Sequence, residues 1–382
     1  MTNLDDLTKD ELQQLYKETE DKINQFYNQE QSVKRILNSI YGAFGNAYFY
    51  FFNIDIAESI TLQGQNAILY TEKMINLYFT DFWHKDKDLH EKMGIEVKGQ
   101  VIKPVVIYID TDSCYLSFEE AIVKSNWTST EKEFVLKIYE HRLNDYIKKV
   151  LQKYADGYKT ENFLDFELES IAKNAIWLAK KKYIQNLVWA DPGNNYEPLS
   201  KIKTKGFEII QSSTPLFARK KLNEAIKLIL GKDDIMVSEI VKFLKDCKKE
   251  FKIANIEDIC FNIKMNNYEK YIVSDVQRFE FASGCPMTVR AAGYYNFLLN
   301  SSKYKNKYQL LGNAEKMKMY ETTDPNCNVF AFRAGSHPYE FAPSIDYEAQ
   351  FEKCMIDPLN RVLSAIGMKT LDRNLIYSSS LF

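Results

Sequence analysis

Apolar and polar residues repeat with two different periods along this chain, and each period predicts a different kind of element. Alternation of β-branched and aromatic residues predicts a strand with a hairpin partner over residues 105–118 and further sheet over residues 162–193. A helical period, or a run with few helix breakers, covers residues 4–46 (as two successive helices beginning at Asp5 or Thr8), 57–80, 129–155, 218–231, 236–250 and 346–367. The mixture predicts an α+β fold.

Composition excludes several classes of protein. The chain has 382 residues, 45% of them hydrophobic, which predicts two or three globular domains. Six cysteines without a C-x-x-C pair and only four histidines argue against a disulfide framework and a zinc site. No apolar run approaches 18 residues and the first residues are acidic and polar, so we expect neither a membrane span nor a signal peptide, and a cytoplasmic protein.

Charge gives no global indication of a nucleic-acid partner, because the net charge is only −2. Lysines nevertheless gather in four short clusters, at residues 179–183, 201–205, 218–222 and 303–307. Each cluster could contact phosphate groups or form an ordinary solvated face.

Two aspartates end the strand "VVIYIDTDSCYLSF" of residues 105–118. If the strand continues through them, Asp110 and Asp112 project to the same side with Cα atoms roughly 6.5 to 7 Å apart. Two carboxylates at that distance suit a divalent cation such as Mg²⁺, which proteins hold through one or two carboxylates plus substrate phosphates. A hairpin turn is the alternative interpretation, since Asp and Thr are common turn residues.

A polar stripe interrupts the helical stretch "QSVKRILNSIYGAFGN" of residues 31–46. Lys34, Asn38 and Tyr41 fall at i, i+4 and i+7 on one face. A cation and an amide one turn apart, roughly 6 Å along the axis, can hold successive phosphates. A solvated surface stripe is the alternative.

These residues carry a resemblance to a known family. Lys34-x-x-x-Asn38-Ser39-x-Tyr41-Gly42 resembles the fingers-helix motif of the family B DNA polymerases, and Asp110-Thr111-Asp112-Ser113 resembles their palm aspartate motif. Lys181-x-Tyr183 is similar to the family's primer-gripping motif. Residues 206–215, 285–296 and 351–359 resemble the T-even-type bacteriophage replicative group. The motifs occur in the family's order over nearly the whole chain.

The resemblance implies a role for each matched residue. Asp110 and Asp112 would be the catalytic residues and would hold two Mg²⁺ ions, with Mn²⁺ as the alternative ion. Lys34 and Asn38 would bind the triphosphate of the incoming dNTP, and Tyr41 and Gly42 would lie against the nascent base pair. The residues implied for primer-template DNA are Lys181, Tyr183, Thr111, Ser113 and Arg290. Glu169 would be a supporting acid, with a salt bridge to a nearby lysine as the stronger alternative.

The resemblance also divides the chain into domains. Residues 1–46 would form the C-terminal part of a helical fingers domain. Residues 47–215 would form the palm, an antiparallel sheet with packed helices. Residues 216–382 would form a mostly helical thumb and a C-terminal tail. Leu381 and Phe382 in "SSSLF" (residues 378–382) resemble the start of a sliding-clamp-binding tail, although a frayed terminus explains them equally well.

One part of the family pattern is missing. The D-x-x-S-L-Y-P motif, which supplies a second metal-binding aspartate, does not occur in the sequence, and neither does an exonuclease domain. We therefore expect the C-terminal piece of a polymerase split within the fingers, completed by an N-terminal partner chain that carries those parts. A truncated polymerase would have the same sequence.

Three functions remain open at this stage. The first is a catalytic subunit of a two-chain DNA polymerase. The second is a non-catalytic DNA-binding relic of a polymerase. The third is a self-sufficient nucleotidyltransferase that uses Glu167 or Glu169 in place of the missing aspartate.

Overall fold

A computed structural model describes residues 7–191, 193–197, 200–232, 235–273 and 279–377. The fold is α+β, as predicted, and the chain divides into two compact units, Met1–Glu167 and Leu168–Phe382. The predicted domain limits after residues 46 and 215 stay predictions. Among the described helices, none has an apolar stretch of the length that crossing a bilayer requires.

The first unit opens with one long helix, α1 (Lys9–Phe44), where the sequence predicted two successive helices. No glycine or proline interrupts residues 9–41, so nothing ends the helix early. Thr8 caps it, since its side chain accepts a hydrogen bond from the Glu11 amide while the Glu11 carboxylate accepts one from the Thr8 amide. At 36 residues the helix is about 54 Å long.

Helix α1 carries an apolar stripe that the described residues leave uncovered. None of its residues is buried. Large exposed side chains recur at spacings of three and four, interrupted only by Thr19 and Glu30. We call these residues the apolar seam: Leu12, Tyr16, Ile23, Phe26, Val33, Leu37 and Ile40. Such spacing is typical of a helix that packs lengthwise against another helix.

The rest of the first unit surrounds one hydrophobic core. Its further elements are α2 (Ile54–Leu77), α3 (Lys87–Met93), β1 (Val106–Asp110), β2 (Ser113–Leu116), α4 (Glu119–Lys124), α5 (Glu131–Ile138) and α6 (Asn144–Gly157). Phe79, Trp83 and Phe134 are fully buried in this core. The predicted helices at 57–80 and 129–155 are therefore confirmed, with α2 beginning three residues earlier at an Asn53 cap.

Two π-helical turns meet in this unit and are joined by one carboxylate. The turns span Tyr78–Phe82 and Tyr139–Leu143. Asp86 accepts a hydrogen bond from the Tyr78 hydroxyl at 2.6 Å and pairs with the Arg142 guanidinium at 2.7 Å. Burial, together with the neighbouring Asp86, raises the pKa of Tyr78, so its hydroxyl remains a donor to Asp86.

The second unit begins with an antiparallel sheet. Its strands are β3 (Ser170–Ala179), β4 (Lys182–Ala190), β5 (Asn194–Asn195) and β6 (Lys201–Lys205), and β4 pairs with the other three. Behind it pack α7 (Leu216–Leu230) and α8 (Val237–Ile253), which confirm the helices predicted there. The sheet predicted for residues 162–193 starts only at Ser170.

A second sheet in this unit was not predicted. It consists of β7 (Phe261–Lys264), β8 (Lys316–Glu321) and β9 (Val329–Arg333) in antiparallel order, and it packs on a long helix. The helices in this part are α9 (Ile256–Ile259), α10 (Tyr268–Tyr271), α11 (Met287–Ser301), α12 (Tyr347–Phe351), α13 (Asp357–Ala365) and α14 (Arg373–Tyr377). A π-helical turn, Glu352–Ile356, joins α12 to α13 in the predicted helix at 346–367.

His337 lies at this second sheet among aromatic rings. Its ring centroid is 4.7 Å from that of Phe332, 5.9 Å from that of Tyr320 and 4.4 Å from that of Tyr339. Both ring nitrogens are buried without a hydrogen-bond partner among the described residues. Burial lowers the pKa of His337 to about 4, so the ring is neutral near pH 7.

Candidate functional site

The two predicted metal-binding aspartates lie at the tip of a hairpin. Strand β1 ends at Asp110, which pairs with Ser113 of β2, and Thr111 and Asp112 form the turn between them. Thr111 takes a left-handed conformation with φ 61°, and the Asp112 amide donates to the Asp110 carbonyl at 2.7 Å. The expectation that both side chains follow the alternation of one strand is therefore wrong, because Asp112 belongs to the turn.

The two carboxylates have different surroundings. Asp110 is 3% exposed, whereas Asp112 is exposed at the tip. Neighbouring hydroxyls orient both: Thr111 Oγ1 donates to Asp110 Oδ1 and Ser113 Oγ donates to Asp112 Oδ1, each at 3.2 Å. A buried and an exposed carboxylate at the same hairpin turn can together bind a cation at the surface, while the buried carboxylate stays fixed.

Cys114 follows directly on β2 and could in principle act as a nucleophile or a soft metal ligand. Burial, and then the negative charge of Glu72, raise the pKa of this thiol to about 11. The thiolate is the reactive and ligating form, so Cys114 is inert near pH 7. The chemistry of the hairpin therefore rests on its carboxylates.

The donor set of the hairpin suits a hard cation only in part. Within the described residues, no group of three or more His, Cys, Asp or Glu side chains lies close enough together to hold a metal ion. Mg²⁺ commonly takes one or two carboxylates and completes its shell with water and substrate phosphates. Asp110 and Asp112 fit that pattern, but a pair of ions would require a further ligand.

The polar stripe predicted on α1 is present. Lys34, Asn38 and Tyr41 all lie on the exposed surface of the helix, at the side of the apolar seam. Lys34 Nζ is 3.7 Å from Glu30 Oε1, and both side chains are about two-thirds exposed. An exposed pair of this kind contributes little, so the ammonium can exchange Glu30 for a phosphate at low cost.

A hydrogen bond fixes the position of Tyr41 against α2. The Tyr41 hydroxyl oxygen is 2.9 Å from Thr61 Oγ1, and Thr61 Oγ1 donates its proton to the Ala57 carbonyl at 3.0 Å. A hydroxyl has one proton, so Tyr41 is the donor to Thr61. Sequence reasoning missed Thr61, because a partner on a neighbouring helix has no signature in the spacing of either helix.

Gly42 lies in an open groove between α1 and α2. A Cβ atom at this position would meet nothing within 4 Å, so packing inside the chain does not require a glycine. The groove is lined by Tyr41, Gly42, Gly45, Ile54, Ala57, Glu58 and Thr61. A flat object could approach the α1 backbone here beside the Tyr41 ring.

Helix α2 connects the stripe on α1 to the aspartate hairpin. Thr61 near its start holds Tyr41, and Asn76 near its end accepts a hydrogen bond from the Val106 amide of β1 at 2.9 Å. The two anchor points are about 22 Å apart along the helix axis. One rigid element therefore fixes both groups of residues in the first unit.

The Lys181-x-Tyr183 motif lies in the second unit, at the turn between β3 and β4. Lys181 is exposed and has φ 61°. Tyr183 is only 4% exposed, and the Lys205 ammonium lies 5.6 Å from its ring centroid. In this unit, Lys181 thus presents its side chain at the surface while Tyr183 is part of the sheet.

The remaining predicted residues are placed as follows. Glu169 Oε1 pairs with Lys203 Nζ at 2.9 Å, so the salt bridge to a nearby lysine is present, and the role of Glu169 as a supporting acid stays a prediction. The Arg290 guanidinium carbon lies 5.4 Å from the Phe281 ring centroid, and its Nε is buried with no hydrogen-bond partner among the described residues. Residues 378–382, which contain the proposed clamp-binding tail, lie outside the described residues.

The known proteins that are similar to this chain are DNA polymerases. A sequence profile described as DNA polymerase family B matches residues 7–284, which include α1 and the aspartate hairpin. The DNA-directed DNA polymerase of Escherichia phage RB69 is 31% identical over 278 residues, which cover 69% of this chain and 28% of that protein. The DNA-directed DNA polymerase of Enterobacteria phage T4 is 24% identical over 392 aligned residues, 96% of this chain and 40% of the relative.

More distant similarity extends to cellular proteins. The DNA polymerase alpha catalytic subunit of Xenopus laevis is 26% identical over 224 residues, 58% of this chain and 12% of that protein. The chain therefore spans less than half the length of each of these relatives.

Proposed function

This chain belongs to DNA polymerase family B, and on that premise we propose that it carries the C-terminal catalytic part of a DNA-directed DNA polymerase. The reaction is template-directed addition of deoxynucleotides from dNTPs to the 3′ end of a primer, in the cytoplasm of the host cell. The observation that chiefly supports this is that α2 anchors both Tyr41 on the exposed stripe of α1 and the hairpin with Asp110 and Asp112.

The chemistry at the hairpin follows from its two carboxylates. Asp110 and Asp112 would hold Mg²⁺, and Thr111 and Ser113 each donate a hydrogen bond that orients one oxygen of these carboxylates. Bound metal ions lower the pKa of an attacking hydroxyl and neutralise charge on the transferred phosphoryl group. The buried Asp110 fixes one ligand, and the exposed Asp112 can adjust to substrate.

The stripe on α1 binds the nucleotide. Lys34 and Asn38 bind the triphosphate, since a cation and an amide one helical turn apart match successive phosphates. Tyr41, held by Thr61, and Gly42 face the nascent base pair through the open groove. In the second unit, Lys181 and Arg290 contact the primer-template duplex, and Tyr183, which is only 4% exposed, belongs to the sheet that carries Lys181.

A further polypeptide segment must complete the catalytic centre, and we propose that an N-terminal partner chain supplies it. Two-metal phosphoryl transfer requires more protein ligands than the hairpin offers. The partner carries the missing palm aspartate, the exonuclease domain and the first part of the fingers. It docks a helix along the apolar seam of α1, whose three-and-four spacing fits lengthwise helix packing.

The test is Mg²⁺-dependent extension of a primer-template. The isolated chain should give no extension, and addition of the N-terminal polymerase region from the same genome should restore it. Robust extension by the isolated, monodisperse chain would reject the two-chain proposal in favour of a self-sufficient enzyme that uses Glu167 or Glu169. DNA binding without extension, even with the partner present, would reject catalysis in favour of a non-catalytic relic.

A further inference from the structure

The turn that presents Lys181 has an unusual backbone. Strands β3 and β4 are joined by Lys180 and Lys181, and Lys181 lies in the left-handed region at φ 61°. This conformation is uncommon for a residue with a Cβ and costs free energy unless its surroundings enforce it. Some contact must therefore hold the turn.

Gly206 packs directly against this turn. It follows the last residue of β6, whose Lys205 pairs with Tyr183, and it has φ 65°. A Cβ atom at this position would lie 2.4 Å from the Lys181 carbonyl oxygen and 3.1 Å from Lys182 Cγ. Real Cβ atoms do not approach backbone oxygens so closely, so either the turn or β6 would have to move.

A second contact holds Gly206 itself. The Gln211 side-chain amide donates to the Gly206 carbonyl at 3.2 Å, across the first residues of the segment that leads to α7. The Lys181 carbonyl is thus packed against a backbone that is fixed on its other side. The position of the β3–β4 turn therefore depends on the absence of a side chain at residue 206.

We propose that Gly206 is a positioning residue for DNA binding, which acts by holding the β3–β4 turn so that Lys181 reaches the DNA backbone. The proposal rests on the function assigned above to Lys181. On this proposal a side chain at residue 206 displaces the turn and not β6, and so moves the Lys181 ammonium away from a phosphate it would otherwise meet.

The primary experiment measures binding of the full chain to a fluorescent primer-template duplex over a range of salt concentrations. Loss of one phosphate contact lowers affinity by about eight-fold at 0.1 M salt and reduces the slope of log K against log salt by about one unit. Lys181→Ala and Gly206→Ala should each give this result. Gly193→Ala is the matched control, because Gly193 also has positive φ (85°) but its Cβ would meet nothing within 4 Å.

The double variant Lys181→Ala/Gly206→Ala separates positioning from general damage to the sheet. If Gly206 acts through Lys181, the double variant binds no more weakly than Lys181→Ala alone. A further loss in the double variant, or an unchanged salt slope in Gly206→Ala, overturns the proposal. If Lys181→Ala alone has no effect, the function assigned to Lys181 fails first, and the role of Gly206 fails with it.

Gln211→Ala tests the same proposal if Gly206→Ala does not fold. It removes the hydrogen bond to the Gly206 carbonyl without adding an atom at the crowded position. A loss of affinity that disappears in the Lys181→Ala background supports the proposal. No loss, or an equal loss in both backgrounds, overturns it.

Discussion

At the residue scale, Asp112 and Asp110 differ in what their removal should do. Asp112 is exposed in a turn, so Asp112→Ala should leave folding and duplex binding intact while abolishing nucleotide addition. Metal ions contribute several kcal/mol to such reactions, which predicts a loss of about three orders of magnitude. Primer extension by the completed polymerase measures this, and activity within tenfold of the parent would show that Asp112 holds no catalytic metal.

Asp110→Ala is the corresponding test for the buried carboxylate. Because Asp110 is buried, its replacement should lower the melting temperature as well as the activity. A variant pair in which only Asp110→Ala destabilises the protein would match the surroundings described for the two carboxylates.

Lys34 should act on the nucleotide instead of the DNA. Lys34→Ala removes a charge proposed to bind the triphosphate, so we expect a KM for dNTP raised about tenfold or more, with unchanged duplex affinity. Lys17→Ala is the control, since Lys17 lies on the same helix but about 25 Å from Lys34 along the helix axis. A change confined to duplex affinity would mean that Lys34 contacts DNA.

The sequence predicted which elements carry the candidate residues better than it predicted their geometry. The spacing of Lys34, Asn38 and Tyr41 was sufficient to predict that they share one face of a helix, because helical periodicity is local. The sequence did not predict the position of Asp112. Thr seldom adopts the left-handed conformation that Thr111 has, and no sequence pattern predicts it. Thr61 and Gly206 were missed because their contacts join elements that are distant in sequence.

At the element scale, local periodicity recovered most helices and the hairpin, but not the sheet of β7, β8 and β9. Strands β7 and β8 are separated by about fifty residues, so their pairing depends on contacts that no short window contains. The division of residues 4–46 into two helices was also wrong, although the continuity of α1 follows from the absence of breakers between residues 9 and 41.

The apolar seam of α1 gives a prediction about assembly. Phe26→Asp places a charge in the middle of the seam, where it would be buried against the partner helix without a counter-charge. We expect the affinity for the N-terminal chain to fall by at least tenfold, while the melting temperature of the isolated chain is unchanged, because Phe26 is 66% exposed. Pull-down titration measures this.

Asn28→Asp adds the same charge on the opposite face of α1 and is the control for the seam variant. It should assemble like the parent chain. Equal losses for Phe26→Asp and Asn28→Asp would show that net charge, and not the seam, governs assembly.

His337 predicts how the second sheet responds to acid. Its pKa is about 4 in the folded chain, against 6.5 for an unperturbed histidine. Between these values the unfolded chain binds a proton that the folded chain does not, so stability falls as pH drops from 6.5 to 4 and this contribution levels off below 4. His337→Phe keeps an aromatic ring beside Phe332 and should remove this pH-dependent part of the stability.

Melting temperatures of both proteins between pH 7 and pH 4.5 test the prediction. The parent should lose a few degrees more than His337→Phe over this range. Parallel curves would mean that the His337 ring can be protonated in place, with Glu340 as the nearby acid that favours the charged form.

At the scale of the whole molecule, assembly should be insensitive to salt. An interface that divides a hydrophobic core exceeds about 2,000 Å² and is screened little by ions. Co-expression with the N-terminal region should therefore give a 1:1 complex that survives 1 M salt in size-exclusion chromatography. Dissociation at high salt would indicate an electrostatic contact between independently folded enzymes.

The uncovered helix α1 has a consequence for the life of the chain in a cell. A helix with none of its described residues buried is held mainly by its own backbone hydrogen bonds, and isolated helices are marginal in water. The free chain thus exposes to cellular proteases an apolar helix that unwinds easily, and assembly with the proposed partner would bury it. On the two-chain proposal, unpaired copies would be degraded and paired copies would persist, so degradation alone would match the amounts of the two chains.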